Sequence, residues 1–359
     1  MVDADRKPQI LEHLQQSLNL TVYDTKWIPS SARFVALGSY PRHTGYLSVW
    51  GLDGQNLKKI LEVEKKSSFK CGTFGASGLA ERRLATGDFE GHIQVWDLEQ
   101  HHVPIFDVQA HVGIINTMDG CGGQAKGYGA PELVTGGRDG RVALWDTRQN
   151  DAPVMVFDPS DPNNIRDCWC VAFGNSFNDE ERAVIAGYDN GDVKMFDLRM
   201  GKVKWETNVR NGVCDVQFDR KEIQMNKFTA TTLESQYHVW DARTLNAKSG
   251  FAGMSEKVPA SSTVWGLKHL PQNRDVFMVQ GGDGSLLLYK YNYPDQRRVK
   301  DKDDKPVGVA GDCSLLSNKN VSTQPICCMD WSPDKEGLIC CGSFDQTIRV
   351  CVVTKLNKV

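Results

Sequence analysis

His111, Thr135 and Asp139 are side chains of the types that acyl transfer uses. Brought together in space, they would supply a base, a hydroxyl nucleophile and an orienting carboxylate. A second candidate is Cys168-Trp169-Cys170, with two thiols two positions apart. Zinc sites use a Cys-x-x-Cys spacing or a paired His cluster, and this stretch has neither, so the metal reading fails. The glycine-rich stretch 120–129 invites a phosphate reading. It matches neither GxxxxGK followed by Ser or Thr, nor GxGxxG between a strand and a helix. None of the three is enough to define an enzyme, so the elements that would position them decide.

Composition narrows the partners first. A net charge of −3 over 359 residues provides no field for steering toward nucleic acid or anionic lipid. Residues 1–20 lack the apolar run of a signal peptide, and no window approaches a membrane span of about 20 apolar residues. The eleven cysteines are odd in number, and two pairs are adjacent in sequence (Cys327–Cys328, Cys340–Cys341). These features together read as reduced thiols in a cytoplasmic protein.

The chain repeats itself. Stretches 84–97 (LATGDFEGHIQVWD), 133–146, 184–197, 228–241 and 277–290 superimpose without gaps. Residues 34–51, with three extra residues in the turn, and 339–352 fit less closely. The position near the end of each copy holds Trp50, Trp96, Trp145, Phe196, Trp240, Tyr289 and Cys351, at intervals of 44 to 62 residues. In each copy an apolar run meets a Gly, Asp or Asn turn and then alternating apolar residues, the pattern of a hairpin. A further short strand precedes each hairpin (for example 168–173, CWCVAF), and a poorer one follows (104–109). Seven such four-stranded units predict an all-β, seven-bladed β-propeller spanning residues 1–359 as one domain. The last unit lacks a fourth strand. Residues 8–15 are therefore expected to complete it and close the ring, with 1–7 frayed. The charged run 295–305, within 294–311, is expected to be a solvated insertion between blades six and seven.

The unit resembles the WD40 repeat, most closely in blade three, where Ala110-His111, Thr135, Asp139 and Trp145 fall at the matching positions. In that family such a set is a structural hydrogen-bond relay, which the resemblance makes the better reading than a catalytic triad. Three copies end in W/F-D-x-R, at 145–148, 196–199 and 240–243. WD40 receptors of cullin–RING ubiquitin ligases carry this motif, and it also commonly anchors the turn after the third strand. A ligase substrate receptor is accordingly the alternative function, to be tested by whether Arg148, Arg199 and Arg243 face solvent.

Propeller geometry places a binding face. The inner strand of each blade starts at the top rim, where the turn between the second and third strands also lies. Those positions hold Tyr23, Lys70, Trp169 and Trp265 from the strands, Asp167 before one of them, and Phe89, Arg138, Asp189, Leu233 and Phe344 from the turns. Aromatics ringed by mixed charge suit a protein partner, whereas a stacking surface for single-stranded RNA would need more Lys and Arg.

The chain is further similar to the Monad type of WD-repeat proteins, described as dynein axonemal assembly factors. The likeness rests on KCGTFGA (70–76), LATGDF (84–89), RDCW (166–169), AGYDNGD (186–192), NGVC (211–214), HLPQNR (269–274), WSPDK (331–335), SFDQT (343–347) and VTKLNK (353–358). Residues 301–306 diverge. The residues themselves lead to the expectation of a monomeric, non-enzymatic binding platform without a cofactor, and the resemblance implies a cytoplasmic co-chaperone adaptor. It would work in preassembly of axonemal dynein arms for the cilium. The implied partners are the RuvB-like ATPase and tetratricopeptide co-chaperone complex, prefoldin-like proteins and axonemal dynein heavy chains.

Overall fold

A computed structural model describes residues 7–124, 129–149, 152–300 and 304–359. Seven antiparallel four-stranded sheets and one two-stranded hairpin account for the strands. In blade one the strands run outward as Thr21–Trp27, Arg33–Ser39, Gly45–Asp53 and Asn56–Lys65. The inner strands of blades two to seven are Phe69–Thr73, Ile115–Cys121, Cys168–Gly174, Val213–Phe218, Val264–Leu270 and Ile326–Trp331.

The sequence repeat becomes a repeat of register. Phe34 pairs with Trp50, Leu84 with Trp96, Leu133 with Trp145, Val184 with Phe196, Phe228 with Trp240, Phe277 with Tyr289 and Ile339 with Cys351. The middle strands are largely buried because both faces of each blade meet a neighbour: all of Val142–Trp145 is buried. Outer strands such as Lys202–Asn208 are largely exposed. The buried apolar residues divide into seven clusters, one per seam between blades. Inner-strand aspartates also stitch four of the seven seams by accepting backbone N–H groups of the next blade: Asp24 from Gly72 (2.9 Å), Asp119 from Phe173 (3.0 Å), Asp215 from Leu267 (3.2 Å) and Asp330 from Trp27 (2.8 Å).

The ring closes as expected. Gln9–Ser17 pairs antiparallel with Thr347–Thr354, ending two residues beyond the expected 8–15, and buries Ile10 and Leu14. Residues 1–6 of the stretch expected to fray lie outside the described residues.

The insertion corrects the sequence reading. It falls inside blade six, between strands Ser285–Asn292 and Asp312–Asn320, rather than between blades six and seven. The later segment pairs with the third strand because its register continues from Asn292↔Asp312 to Ser285↔Asn320. Nor is the insertion wholly solvated. Its hairpin, Arg298–Lys300 with Pro306–Gly308, lies against blade five. There Arg298 donates to the Arg243 carbonyl (2.8 Å), and Asn246 donates to the Pro306 carbonyl (3.3 Å). Residues 301–303 lie outside the described residues.

The glycine-rich stretch has a packing role. A β-carbon on Gly75 would meet the Gly120 carbonyl at 2.3 Å, and one on Gly123 would meet the Ser77 backbone at 2.5 Å. Glycine lets the bottom loops of blades two and three touch backbone to backbone, with Gly123 and Gln124 donating to the Gly75 and Ser77 carbonyls. Residues 125–128 of that stretch are outside the described residues.

Candidate binding face at the channel mouth

Every inner strand carries a β-bulge one residue (in blade one, two residues) into its pairing with the second strand. A bulge frees one residue from the ladder and re-aims its side chain. The seven bulged residues are Tyr23, Lys70, Asn116, Trp169, Cys214, Trp265 and Cys327, and all of them line the central cavity of about 640 Å³. The sequence reading named four members of this ring. It missed Asn116, Cys214 and Cys327, whose residue types do not advertise contact. Their place in the repeat was the available signal.

The rest of the expected face divides in two. Leu233 also lines the cavity, whereas Phe89, Arg138, Asp167, Asp189 and Phe344 stand outside its lining, in the surrounding loops and turns. Tyr23 meets Phe89 with ring centroids 5.3 Å apart, and the Lys70 ammonium lies 4.7 Å from the centre of the Tyr23 ring. Trp265 meets Phe344 edge to face at 5.3 Å. Trp169 and Leu233 converge over Gly212, where a β-carbon would lie 2.7 and 3.0 Å from them. Burial and the neighbouring Asp189 raise the Asp167 carboxyl above its ordinary range, while Arg138 acts the other way.

Deeper in the channel, three lysines are paired with aspartates. Lys26 meets Asp24 at 2.5 Å, Lys221 meets Asp119 at 2.7 Å and Lys268 meets Asp215 at 3.0 Å. Burial pushes the Asp330 carboxyl up to about 6, even with Lys26 nearby.

His111, Thr135, Asp139 and Trp145 do come together, as a strut. The His111 ring nitrogens lie 2.9 Å from Asp139 and 2.8 Å from the Thr135 hydroxyl, which accepts the Trp145 indole N–H at 3.1 Å. Burial raises the Asp139 carboxyl, but the hydrogen bond and charge of His111, together with the backbone N–H groups of Val112 and Arg141, outweigh it and leave the group below its ordinary range. The hydroxyl that would be the nucleophile is fully buried and already holds the indole. Blade seven replaces this relay with a charged one. Asp345 accepts from the Ser322 and Ser343 hydroxyls and from the Arg349 guanidinium. These bonds overcome burial and hold the Asp345 carboxyl at about 2.

Cys168 and Cys170 are buried, with thiols directed at the Cys170 and Val213 carbonyls. Burial pushes both well above the usual thiol range. Among the described residues, no three His, Cys, Asp or Glu side chains are placed to share a metal ion.

On the opposite rim Arg148, Arg199 and Arg243 are exposed, the condition set for the ligase alternative. Arg148, however, holds Asp146 through two side-chain hydrogen bonds (3.0 and 2.7 Å), the turn-anchoring role.

The blades, their common register and the closing strand define a WD40 β-propeller, and the WD domain, G-beta repeat family matches residues 314–351. The chain is 67% identical over 358 residues to dynein axonemal assembly factor 10 of Chlamydomonas reinhardtii, covering all of both proteins. It is 56% identical to that of Danio rerio and 54% to that of Homo sapiens, again over the full length of both. The chain belongs to the dynein axonemal assembly factor 10 family.

Proposed function

We propose that this chain is a non-enzymatic scaffold, a cytoplasmic co-chaperone adaptor for preassembly of axonemal dynein arms. It binds a segment of a client or co-chaperone at the channel mouth. Trp169, Trp265 and Phe344 serve as anchors, while Lys70 and Arg138 set orientation. The role is supported by the name its full-length relatives carry. The site rests on one observation, the ring of bulged side chains that holds two tryptophans and a tyrosine at an open cavity. Buried aromatic anchors dominate protein interfaces, while rim charges act mainly on association rate. The proposed partners are the RuvB-like ATPase and tetratricopeptide co-chaperone complex, prefoldin-like proteins and axonemal dynein heavy chains. Affinity purification from a ciliated cell, with mass spectrometry of the bound proteins, tests the role. Recovery of dynein heavy chains with that complex is expected. Consistent absence of both would overturn it.

A further inference from the structure

The mouth has an excess of hydrogen-bond donors. Trp27, Trp50, Trp96, Trp145 and Trp331 all donate their indole N–H within the protein. Trp169, Trp205, Trp240 and Trp265 have no such acceptor among the described residues, and of these Trp169 and Trp265 stand on the channel ring. The lysines divide in the same way, within a lining that also holds the carboxylates of Asp24, Asp119, Asp215, Glu222 and Asp330. Four lysines line the cavity, and three are paired with aspartates. The fourth, Lys70, has no carboxylate within 4.0 Å among the described residues and rests against the Tyr23 ring instead.

A fourth donor comes from an exchange in blade six. At the residue after the bulge, four blades set an inner-strand side chain against glycine on the second strand: Cys71 on Gly87, Thr117 on Gly136, Cys170 on Gly187 and Cys328 on Gly342. Blade six inverts the pair, with Gly266 inside and Gln280 on the second strand. The Gln280 carboxamide covers Gly266, its nitrogen 2.7 Å from where a β-carbon would stand, and it lines the cavity. Gln280 is 2% exposed as a whole residue, and its carboxamide, which has no hydrogen-bond partner among the described residues, is open to the cavity.

We infer that the channel mouth takes an internal acidic peptide segment, its Asp or Glu carboxylate set against Lys70 and a further acceptor of the segment bonded to Gln280. This rests on the mouth being the binding face, as proposed above, and adds the class of ligand. The apolar pairs Tyr23–Phe89, Trp169–Leu233 and Trp265–Phe344 stand around the mouth, so a chain crossing it finds apolar seats on either side of the acidic residue. That favours an internal segment over a chain terminus. Asp167 and Asp189 lie outside the cavity lining on blade four. They repel the same carboxylate and so direct it toward blade two, where Lys70 lies.

Selecting displayed random peptides on the full-length chain, then measuring the selected peptides by fluorescence anisotropy, tests the inference. The selected sequences should carry Asp or Glu beside an aromatic or large aliphatic residue. Replacing that acid by its amide should weaken binding about tenfold or more. Lys70→Met should cause a similar loss at an unchanged melting temperature, Lys70→Glu should turn selection toward Lys and Arg, and Gln280→Leu should weaken the same peptides several-fold. Peptides that carry no acid, an acid indifferent to Lys70→Met, or no selected peptide at all would each overturn the ligand class. Acid-free peptides that are lost on Trp169→Ala would do so while leaving the mouth as the binding face. The two readings are thereby separated.

Discussion

Trp265 on the inner strand of blade six meets Phe344 in a turn of blade seven edge to face, with ring centroids 5.3 Å apart. The pair crosses a blade seam at the rim. Phe344 is 38% exposed, so it contributes little to the core beneath. Phe344→Ala should therefore shift the melting temperature by only a degree or two, about 0.5 kcal/mol. Partner affinity should fall about five- to thirtyfold, measured by titration of the purified partner.

The closing strand gives a stability test. Deleting residues 8–15 removes most of the ladder between Gln9–Ser17 and Thr347–Thr354 and exposes an edge. At about 1 kcal/mol per net hydrogen bond, plus the apolar contacts of Ile10 and Leu14, the truncated protein should aggregate or melt far below the full chain. An unchanged melting curve would contradict this closure. The milder Leu14→Ala should cost about 2–5 kcal/mol.

The relay in blade three predicts a graded loss. Trp145→Ala should destabilise by roughly 3–5 kcal/mol through the cavity it leaves. His111→Ala should cost about 1–3 kcal/mol by removing one hydrogen bond each from Thr135 and Asp139. Denaturant melts measure both. A catalytic role would appear instead as a lost activity at full stability.

Asp345 sets a pH dependence. Its folded-state pKa of about 2 lies below the ordinary 3.8. Its contribution is thus complete above about pH 4 and is lost as pH falls from there toward 2. Asp345→Asn should remove that part of the acid-induced loss and lower stability at neutral pH. Melting temperatures of the two proteins across pH 2–7 should converge at the acid end.

How much of this was legible in the sequence depends on which residues carried the signal. The register pairs, from Phe34↔Trp50 to Ile339↔Cys351, follow from the alignment of the repeat, because apolar residues meeting across two strands recur at fixed spacing. The His111 relay was readable from residue type and position. The bulges were not, since Lys70, Cys214 and Trp169 share a backbone irregularity and no chemistry. The exchange of Gly266 and Gln280 joins residues on two strands and shows only once they are paired. The insertion was misplaced because the strand after it, Asp312–Asn320, carries too little alternation to be recognised as the outer strand of blade six.

The central claim is that the mouth of the propeller captures the assembly partners through its two ring tryptophans. It is tested most directly by the Trp169→Ala, Trp265→Ala double variant, with melting temperature and partner capture measured on the same preparation. The account predicts a folded protein that captures the dynein heavy chain and the co-chaperone complex at least about thirtyfold less well, two anchors at about 1 kcal/mol or more each. A folded double variant that captures both at the level of the unmodified chain would contradict it and move the binding surface to the side or bottom of the propeller.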